Sequence, residues 1–252
     1  MEWRDSGFIL TARRHGESAA IVEVLTAEHG RHAGLVRGGQ SPRRRALLQP
    51  GNEVAMAWRA RLAEHLGTIE CELVRAHAAR FLDDPERLAA LAAAAALVAE
   101  ALPEREPHGD IYRSFAALIA ALDSSRTWPC DYVAWECDLL AALGFGLDLS
   151  CCAVTGTTDD LVYVSPRTGR AVSREAGRPY HDKLLPLPDF LIRDVPAGRP
   201  AIVAGLALTG HFLYRHLLLP QGRNLPEARA RLAERMRRDA AAASIAKDPA
   251  RD

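Results

Sequence analysis

Short runs of β-forming residues, separated by turns that contain glycine, fill residues 7–75 of this chain. Five such runs occupy about 70 residues, and no helix among them is long enough to cover the face of a sheet. The pattern therefore predicts a closed or partly closed β-barrel, and this number of strands in this length is typical of an OB-fold. The expected strands are residues 7–12, 20–26, 32–36, 52–58 and 67–74.

Helical patterns follow the last of these strands. Asp84 and Pro85 indicate a helix start, because aspartate can cap the first free amides and proline fits the first turn. We expect this helix to end near Leu102, since Pro103 follows it. Apolar residues at helical spacing predict four further helices, which begin near Asp110, Pro129, Ile202 and Pro226.

An irregular segment, residues 149–188, separates the third expected helix from the fourth. It is rich in turn-forming residues and contains one pattern typical of a hairpin, with a strand at residues 161–164 and a turn at Gly169. The predicted fold class is therefore α+β and multidomain. We expect an OB-fold barrel at residues 1–80 and a helical domain at residues 81–252, with the irregular segment as a small insert in the latter.

Arginines cluster between the third and fourth expected strands. Residues 37–45, RGGQSPRRR, hold four arginines and no acidic residue, and their glycine, serine and proline content is typical of a mobile loop. Such a cluster on a small barrel suits the phosphates of single-stranded nucleic acid, and a solvated charged loop fits the same residues equally well. Two arginines at the end of the first strand could extend the patch. The candidate DNA-binding residues are Arg13, Arg14, Arg37, Arg43, Arg44 and Arg45.

A second basic concentration lies in the last expected helix. Residues 223–238 contain six arginines and two glutamates. On a helix, Arg231, Arg235 and Arg238 share one face. Taken alone, this pattern is better explained by a solvated helix face than by a binding surface.

Composition and motifs exclude several classes of function. Basic and acidic residues number 32 each, so the chain is not uniformly basic. We expect no enzyme activity and no cofactor, because the sequence has no phosphate-binding Gly-Lys-Ser/Thr loop, no dinucleotide glycine fingerprint and no His-Glu-x-x-His. We also expect a cytoplasmic protein with reduced cysteines, since no signal peptide is evident and the apolar run at residues 88–99 is too short for a membrane span. His15, His29 and His32 are expected on the surface.

Short motifs are distributed along the whole chain. They are GFIL at residues 7–10, RHGE at 14–17, LT at 25–26, HG at 29–30, GLVRG at 34–38, LQPG at 48–51, LGFGLDL at 143–149, CAVTG at 152–156, VSPRTGRAV at 164–172 and LPQGRNLPEARAR at 219–231. None of these motifs is specific alone. In their order, spacing and coverage, however, the chain resembles the RecO family of bacterial DNA repair proteins.

The resemblance implies an N-terminal OB-fold and a helical C-terminal domain with a small zinc-ribbon-like insert. It also implies a protein of the cytoplasm and nucleoid that binds single- and double-stranded DNA, anneals complementary strands and contacts the single-stranded-DNA-binding protein SSB. Together with RecR, such proteins help to load RecA onto SSB-coated strands. A RecF partner is left open, and no membrane association is implied.

The zinc site that this resemblance implies has lost most of its ligands. Family members that bind zinc carry two Cys-x-x-Cys pairs in the insert, a spacing suited to tetrahedral zinc. The corresponding positions here are Cys152 and Thr155, then Ser173 and Ala176, so that one thiol of four is left. We therefore expect no metal, with packing and hairpin hydrogen bonds holding the insert instead, and the sequence leaves open a residual metal at Cys151 and Cys152.

Two interpretations of the function stay open. The main hypothesis is a recombination mediator that binds DNA directly through its barrel arginines. The alternative is an interaction adaptor for SSB and RecR with little DNA affinity of its own. The arginine segment without acidic residues favours direct binding. Given the resemblance, the arginines of residues 223–238 could extend the DNA path, or they could flank a pocket for the acidic, apolar C-terminal tail of SSB. The candidate residues for that tail are Arg215, Arg223 and Arg231.

Overall fold

The structure, a computed structural model, describes the backbone of residues 1–246 and the side chains of residues 1–242. The chain divides into two compact units. The first unit is Met1–Ser124 together with Pro226–Arg229, and the second is Ser125–Leu225 together with the described residues from Ala230 onward.

Five strands of the first unit close into the barrel that the sequence predicts. They are β1 (Glu2–His15), β2 (Ala19–Thr26), β3 (Gly30–Val36), β4 (Glu53–Arg59) and β5 (Thr68–Arg75), joined in the order β1-β2-β3-β5-β4. β1 pairs with β4 along its first half and with β2 along its second half, which extends it in both directions beyond the predicted residues 7–12. Between β3 and β5 the closure is parallel and consists of the single pair Leu35–Thr68.

Alternate residues of the strands fill the interior of the barrel. Val54, Met56 and Trp58 of β4 are buried in one apolar cluster, as the twofold periodicity of a strand requires. The aromatic residues of the barrel also belong to its core: Phe8 and Trp58 are buried, and Trp3 packs against the same cluster.

Eight α-helices accompany the strands in the part of the chain that the structure describes. They are α1 (Pro42–Leu47), α2 (His77–Arg80), α3 (Pro85–Ala101), α4 (Gly109–Ser124), α5 (Trp128–Ala142), α6 (Arg174–Gly177), α7 (Arg199–Leu213) and α8 (Glu227–Ala246). The five longest of them begin within a few residues of the predicted starts. α1 lies within the segment that the sequence predicts as a loop.

Helices α3 and α4 belong to the same compact unit as the barrel. α3 starts as predicted, with the Asp84 carboxylate accepting a hydrogen bond of 3.1 Å from the Arg87 amide. α4 presents Phe115 to Phe8 of β1 in an edge-to-face arrangement, with ring centroids 5.5 Å apart. The domain boundary predicted at residue 80 thus lies just after the last barrel strand. The compact unit of the structure extends further along the chain, to Ser124.

The second unit is built on the packing of α5 against α7. Gly205 of α7 lies so close to α5 that an added Cβ would be 2.8 Å from the Val133 side chain. Four residues further on, the Thr209 hydroxyl donates a hydrogen bond to the buried Glu136 carboxylate. A small residue and a buried polar pair therefore fix how these two helices meet.

One apolar segment passes a length and composition test for a membrane span. This segment, Arg199–Gln221, includes α7 and the turns that follow it. Half of it is buried within the structure, and the core helices of soluble proteins pass the same test. The finding is therefore weak evidence for a membrane.

The insert forms a three-stranded sheet within the second unit. Its strands are β6 (Leu161–Val164), β7 (Ala171–Ser173) and β8 (Leu185–Pro186), in the order β7-β6-β8. The predicted hairpin is confirmed, because β6 and β7 are antiparallel and Gly169 in their turn has a φ of 69°, a conformation that favours glycine.

Candidate nucleic-acid interface

The ladder β1-β2-β3 brings two of the candidate arginines to one end of the barrel. Arg14 pairs with Ala20 of β2, which in turn pairs with Val36 of β3, and Arg37 follows directly. The chain after Arg37 is tied to the turn between β1 and β2, since the Gln40 amide donates to the Ser18 carbonyl oxygen at 3.0 Å and its side chain donates to the Ala19 carbonyl oxygen, at the start of β2, at 3.1 Å. Both arginines are exposed, so their guanidinium groups are available to a ligand at this end.

The three consecutive arginines lie on helix α1 and not on a mobile loop, which corrects the expectation for residues 42–45. Pro42 occupies the first turn, where its missing amide costs no hydrogen bond. Arg43 and Arg45 are exposed. Arg44 is half-buried, and its Nη1 donates a hydrogen bond of 3.1 Å to the Cys71 carbonyl oxygen of β5. Arg44 therefore attaches α1 to the barrel, and its two neighbours face solvent.

Arg13 differs from Arg14 in having an acidic partner. Its guanidinium lies 3.5 Å from the Glu23 carboxylate on β2, and 69% of its side chain is exposed. The Arg14 guanidinium donates instead to the backbone oxygen of Gly16, at 3.2 Å. The charge of Arg13 is thus partly neutralised within the barrel, while that of Arg14 is not.

The loop between β4 and β5, residues 60–67, supplies a candidate that the residue pattern did not reveal. Arg61 in this loop is exposed. The end of the loop lies beside the end of β3, because the Leu35 amide donates to the Gly67 carbonyl oxygen at 3.0 Å. Arg105 steadies the loop by donating to two of its carbonyl oxygens. The corresponding loop of OB-folds contacts nucleic acids, so the predicted fold contained the signal that points to Arg61.

Two of the three histidines that were expected on the surface contribute to an aromatic cluster. His32 is 4% exposed, and its ring meets Trp58 and Trp3 edge-on at centroid distances of 4.8 and 4.9 Å. The His29 ring stacks on Trp3 at 3.9 Å and also contacts the Asp5 carboxylate at 2.9 Å. The surface assignment is therefore wrong for His32, which residues distant in sequence cover, whereas His29 is partly exposed and His15 is exposed as expected.

We expect the barrel to lose stability in mild acid through His32. Burial, followed by the charges of Arg105 and His29, lowers the pKa of His32 to about 4. The unfolded chain takes up this proton near pH 6.5 but the folded barrel does not, so stability is complete above that pH and falls as the pH drops toward 4. The expected loss between pH 7 and pH 5 is about 2 kcal/mol, measured by urea unfolding. His32→Gln should remove most of this difference, and an unchanged pH dependence in the variant would contradict the assignment.

The candidate residues for the SSB tail occupy the second unit. Arg215 lies in the wide helical turn Tyr214–Leu218 and donates to the Pro166 carbonyl oxygen at 2.9 Å. Arg223 is exposed after the left-handed Gly222, and Arg231 is exposed on α8. Arg215 is thus held against the insert, and the other two candidates are exposed residues of the same unit.

An aromatic stack that sequence reasoning missed lies in the same unit. The ring of Phe145 stacks on His216 with a centroid distance of 4.7 Å, and 38% of Phe145 is exposed. The LGFGLDL motif supplies Phe145, and the turn that carries Arg215 also carries His216. An apolar surface is therefore available on the unit that holds the tail candidates.

The donors in the insert do not fit a tetrahedral zinc site. The Cys152 sulfur is buried and accepts a hydrogen bond from the Ser173 amide at 3.3 Å. Burial alone would raise the pKa of this thiol, but hydrogen bonds from Ser173 and Thr155 outweigh burial and lower the pKa to about 6. Among the described residues, no group of three or more histidine, cysteine or acidic side chains could hold a metal ion. The one thiol left of the four positions is thus engaged in hydrogen bonds within the insert.

Comparison with known proteins connects these features to one family. The family model "Recombination protein O N terminal" matches residues 1–77, and "Recombination protein O C terminal" matches residues 82–224. The DNA repair protein RecO of Rhodospirillum rubrum is 54% identical over 249 residues, which cover 96% of this chain and 99% of that protein. RecO of Rhodospirillum centenum is 55% identical over 94% of this chain and 96% of its own length, and RecO of Phenylobacterium zucineum is 53% identical over 94% and 98%. The chain therefore belongs to the RecO family of DNA repair proteins.

Proposed function

We propose that this protein is a non-enzymatic recombination mediator of the bacterial cytoplasm. It binds single- and double-stranded DNA through its barrel, anneals complementary strands and, with RecR, helps to load RecA onto SSB-coated single strands. The observation that supports this proposal most is the set of exposed arginines at the end of the barrel where the β1–β2 turn, the end of β3 and α1 meet. Its core members are Arg14, Arg37, Arg43 and Arg45.

This arrangement suits a polyanion that lies along the barrel end. Guanidinium groups bind phosphate oxygens through paired hydrogen bonds and keep their charge at every physiological pH. Annealing requires that two phosphate backbones approach each other, and a row of arginines reduces their repulsion without any covalent step. Binding of this kind is independent of base sequence and weakens steeply as salt is added.

The second unit is proposed to receive the C-terminal tail of SSB. Arg223 and Arg231 offer cations to the acidic residues and terminal carboxylate of the tail, and Phe145 offers an apolar contact. Arg215 contributes less than the sequence pattern predicts, because its guanidinium already donates to a backbone oxygen. Membership of the family makes RecR, RecA and RecF further candidate partners.

The proposal is tested by fluorescence anisotropy of a labelled single strand, titrated with the protein at several salt concentrations. We expect tight binding whose logarithm falls linearly with the logarithm of salt concentration, with a slope of about −3 if four phosphates are contacted. Salt-insensitive or absent binding would contradict direct contact with phosphate.

The same titration, repeated on SSB-coated strands, separates the two interpretations of function. A mediator binds naked and coated strands. An adaptor with little DNA affinity of its own binds only coated strands. That result would mean that recruitment depends mainly on the helical unit and not on the barrel.

A further inference from the structure

An acidic residue lies in the middle of the outer face of the ladder β1-β2-β3. Glu23 of β2 has Thr11 of β1 and Ala33 of β3 as its cross-strand neighbours. In the next row of the same face, Arg13, Ile21 and Leu35 lie side by side. Glu23 is therefore adjacent to the row that leads to the arginine-rich end of the barrel.

The Glu23 carboxylate holds two arginines, one with each oxygen. Oε1 is 3.5 Å from Nη2 of Arg13, and Oε2 is 3.4 Å from Nη1 of Arg31. A phosphate group would present two oxygens to two guanidinium groups in a similar way. The carboxylate thus gives the exposed Arg13 the kind of anionic partner that a phosphate of bound DNA would give it.

The two arginines differ in how much they depend on Glu23. Arg31 is 15% exposed, donates to the Leu102 carbonyl oxygen at 2.8 Å and also lies 3.8 Å from Glu104. Arg13 is 69% exposed, and among the described residues Glu23 is the acidic side chain within ion-pair distance of it. Loss of the Glu23 charge would therefore leave Arg31 in place and release Arg13 to solvent.

We infer that Glu23 competes with DNA phosphate for Arg13 and so limits the affinity of the barrel for a single strand. This inference rests on the proposed function of the barrel arginines. Two effects act in the same direction: the carboxylate neutralises Arg13, and its negative charge repels an approaching phosphate. A protein that must release strands once they are annealed has a use for such a limit, because tight binding slows dissociation.

The test is the substitution Glu23→Gln in the full chain, which keeps the size of the side chain and removes its charge. We expect binding to labelled oligothymidylate to tighten about 5-fold near 0.1 M salt, and the salt slope to steepen by about 0.7, as expected for one more phosphate contact on a single strand. Anisotropy at several salt concentrations measures both quantities. A thermal melt checks that the variant is folded, and Glu23→Ala provides a second variant.

The matched control is Glu28→Gln, which makes the same charge change in the turn beyond the far end of β2. Screening by salt should keep its effect below about 2-fold. In an Arg13→Ala background, Glu23→Gln should also gain less than about 2-fold, because the arginine that it releases is gone.

The outcomes separate this inference from the proposed function. If the parent protein binds with a steep salt slope while Glu23→Gln and Glu28→Gln behave alike, the role of Glu23 is wrong and the arginine interface stands. If neither the parent nor Glu23→Gln shows salt-dependent binding, both proposals fail. If Glu23→Gln tightens DNA binding by the same factor when Arg13 is replaced by alanine, Glu23 does not act by competing for Arg13, and the inference is overturned.

Discussion

Replacing Arg37, Arg43 and Arg45 together with alanine should weaken binding to single-stranded DNA by about 100-fold near 0.1 M salt. Each exposed guanidinium that contacts a phosphate contributes about 0.7 to the salt slope on a single strand, so three of them contribute about 2. The loss should be the same for all sequences, because phosphate contacts carry no base information. Anisotropy titrations at several salt concentrations measure the affinity and the slope together.

The control for this triple variant removes the same number of positive charges elsewhere. Arg126, Arg178 and Arg193 are exposed residues of the second unit. Their replacement by alanine should change the affinity less than about 3-fold, since none of them belongs to the proposed barrel interface and salt screens charges that make no direct contact. Equal losses in the two triple variants would mean that net charge, and not the barrel end, determines binding.

Arg44 is omitted from the triple variant because the structure assigns it a different task. Its Nη1 bond to the Cys71 carbonyl oxygen attaches α1 to β5. A variant that includes Arg44→Ala would combine loss of a DNA contact with loosening of the helix that carries Arg43 and Arg45. The omission keeps the measured effect on the affinity free of an effect on folding.

Trp58→Ala should cost about 3–5 kcal/mol of unfolding free energy, which is a large fraction of the stability of an ordinary domain. Trp58 is 2% exposed at the centre of the barrel core, and its Nε1 donates to the Leu66 carbonyl oxygen at 3.0 Å. The substitution therefore leaves a cavity and also releases the β4–β5 loop. Urea unfolding followed by circular dichroism measures the loss.

Trp3→Ala is the matched control for this substitution. Trp3 is half-buried at the edge of the same cluster, with its ring centroid 5.6 Å from that of Trp58. Because less of its surface is buried, its removal should cost clearly less than that of Trp58. Similar losses of unfolding free energy for the two substitutions would contradict the central position of Trp58 in the core.

The sequence predicts the barrel well because alternation of apolar residues survives in most of its strands. β4 is an example, in which the predicted residues 52–58 differ from the observed Glu53–Arg59 by one position at each end. The start of β1 escapes the pattern, since Trp3 is the one apolar residue among residues 2–6 and the segment is paired along its backbone with β4. Backbone pairing of this kind leaves no trace in the side chains.

The candidate site is predictable in its charges but not in its contacts. The run of arginines is visible in the sequence, and Pro42 at the start of α1 was an available helix signal. That Arg44 would bond to Cys71, or that His32 would lie against Trp58, depends on strands that meet only after folding. Sequence reasoning therefore identifies which residues are cationic and leaves undecided which of them are free to bind.

The single pair that closes the barrel between β3 and β5 makes this seam the place where the barrel opens most easily. The other neighbouring strands are paired along most of their length, so separating them costs more free energy than separating Leu35 from Thr68. Arg37 follows β3 directly, and α1 is held to β5 by Arg44. A polyanion that spans Arg37 and α1 therefore favours the closed seam, and by thermodynamic linkage closure and binding strengthen each other.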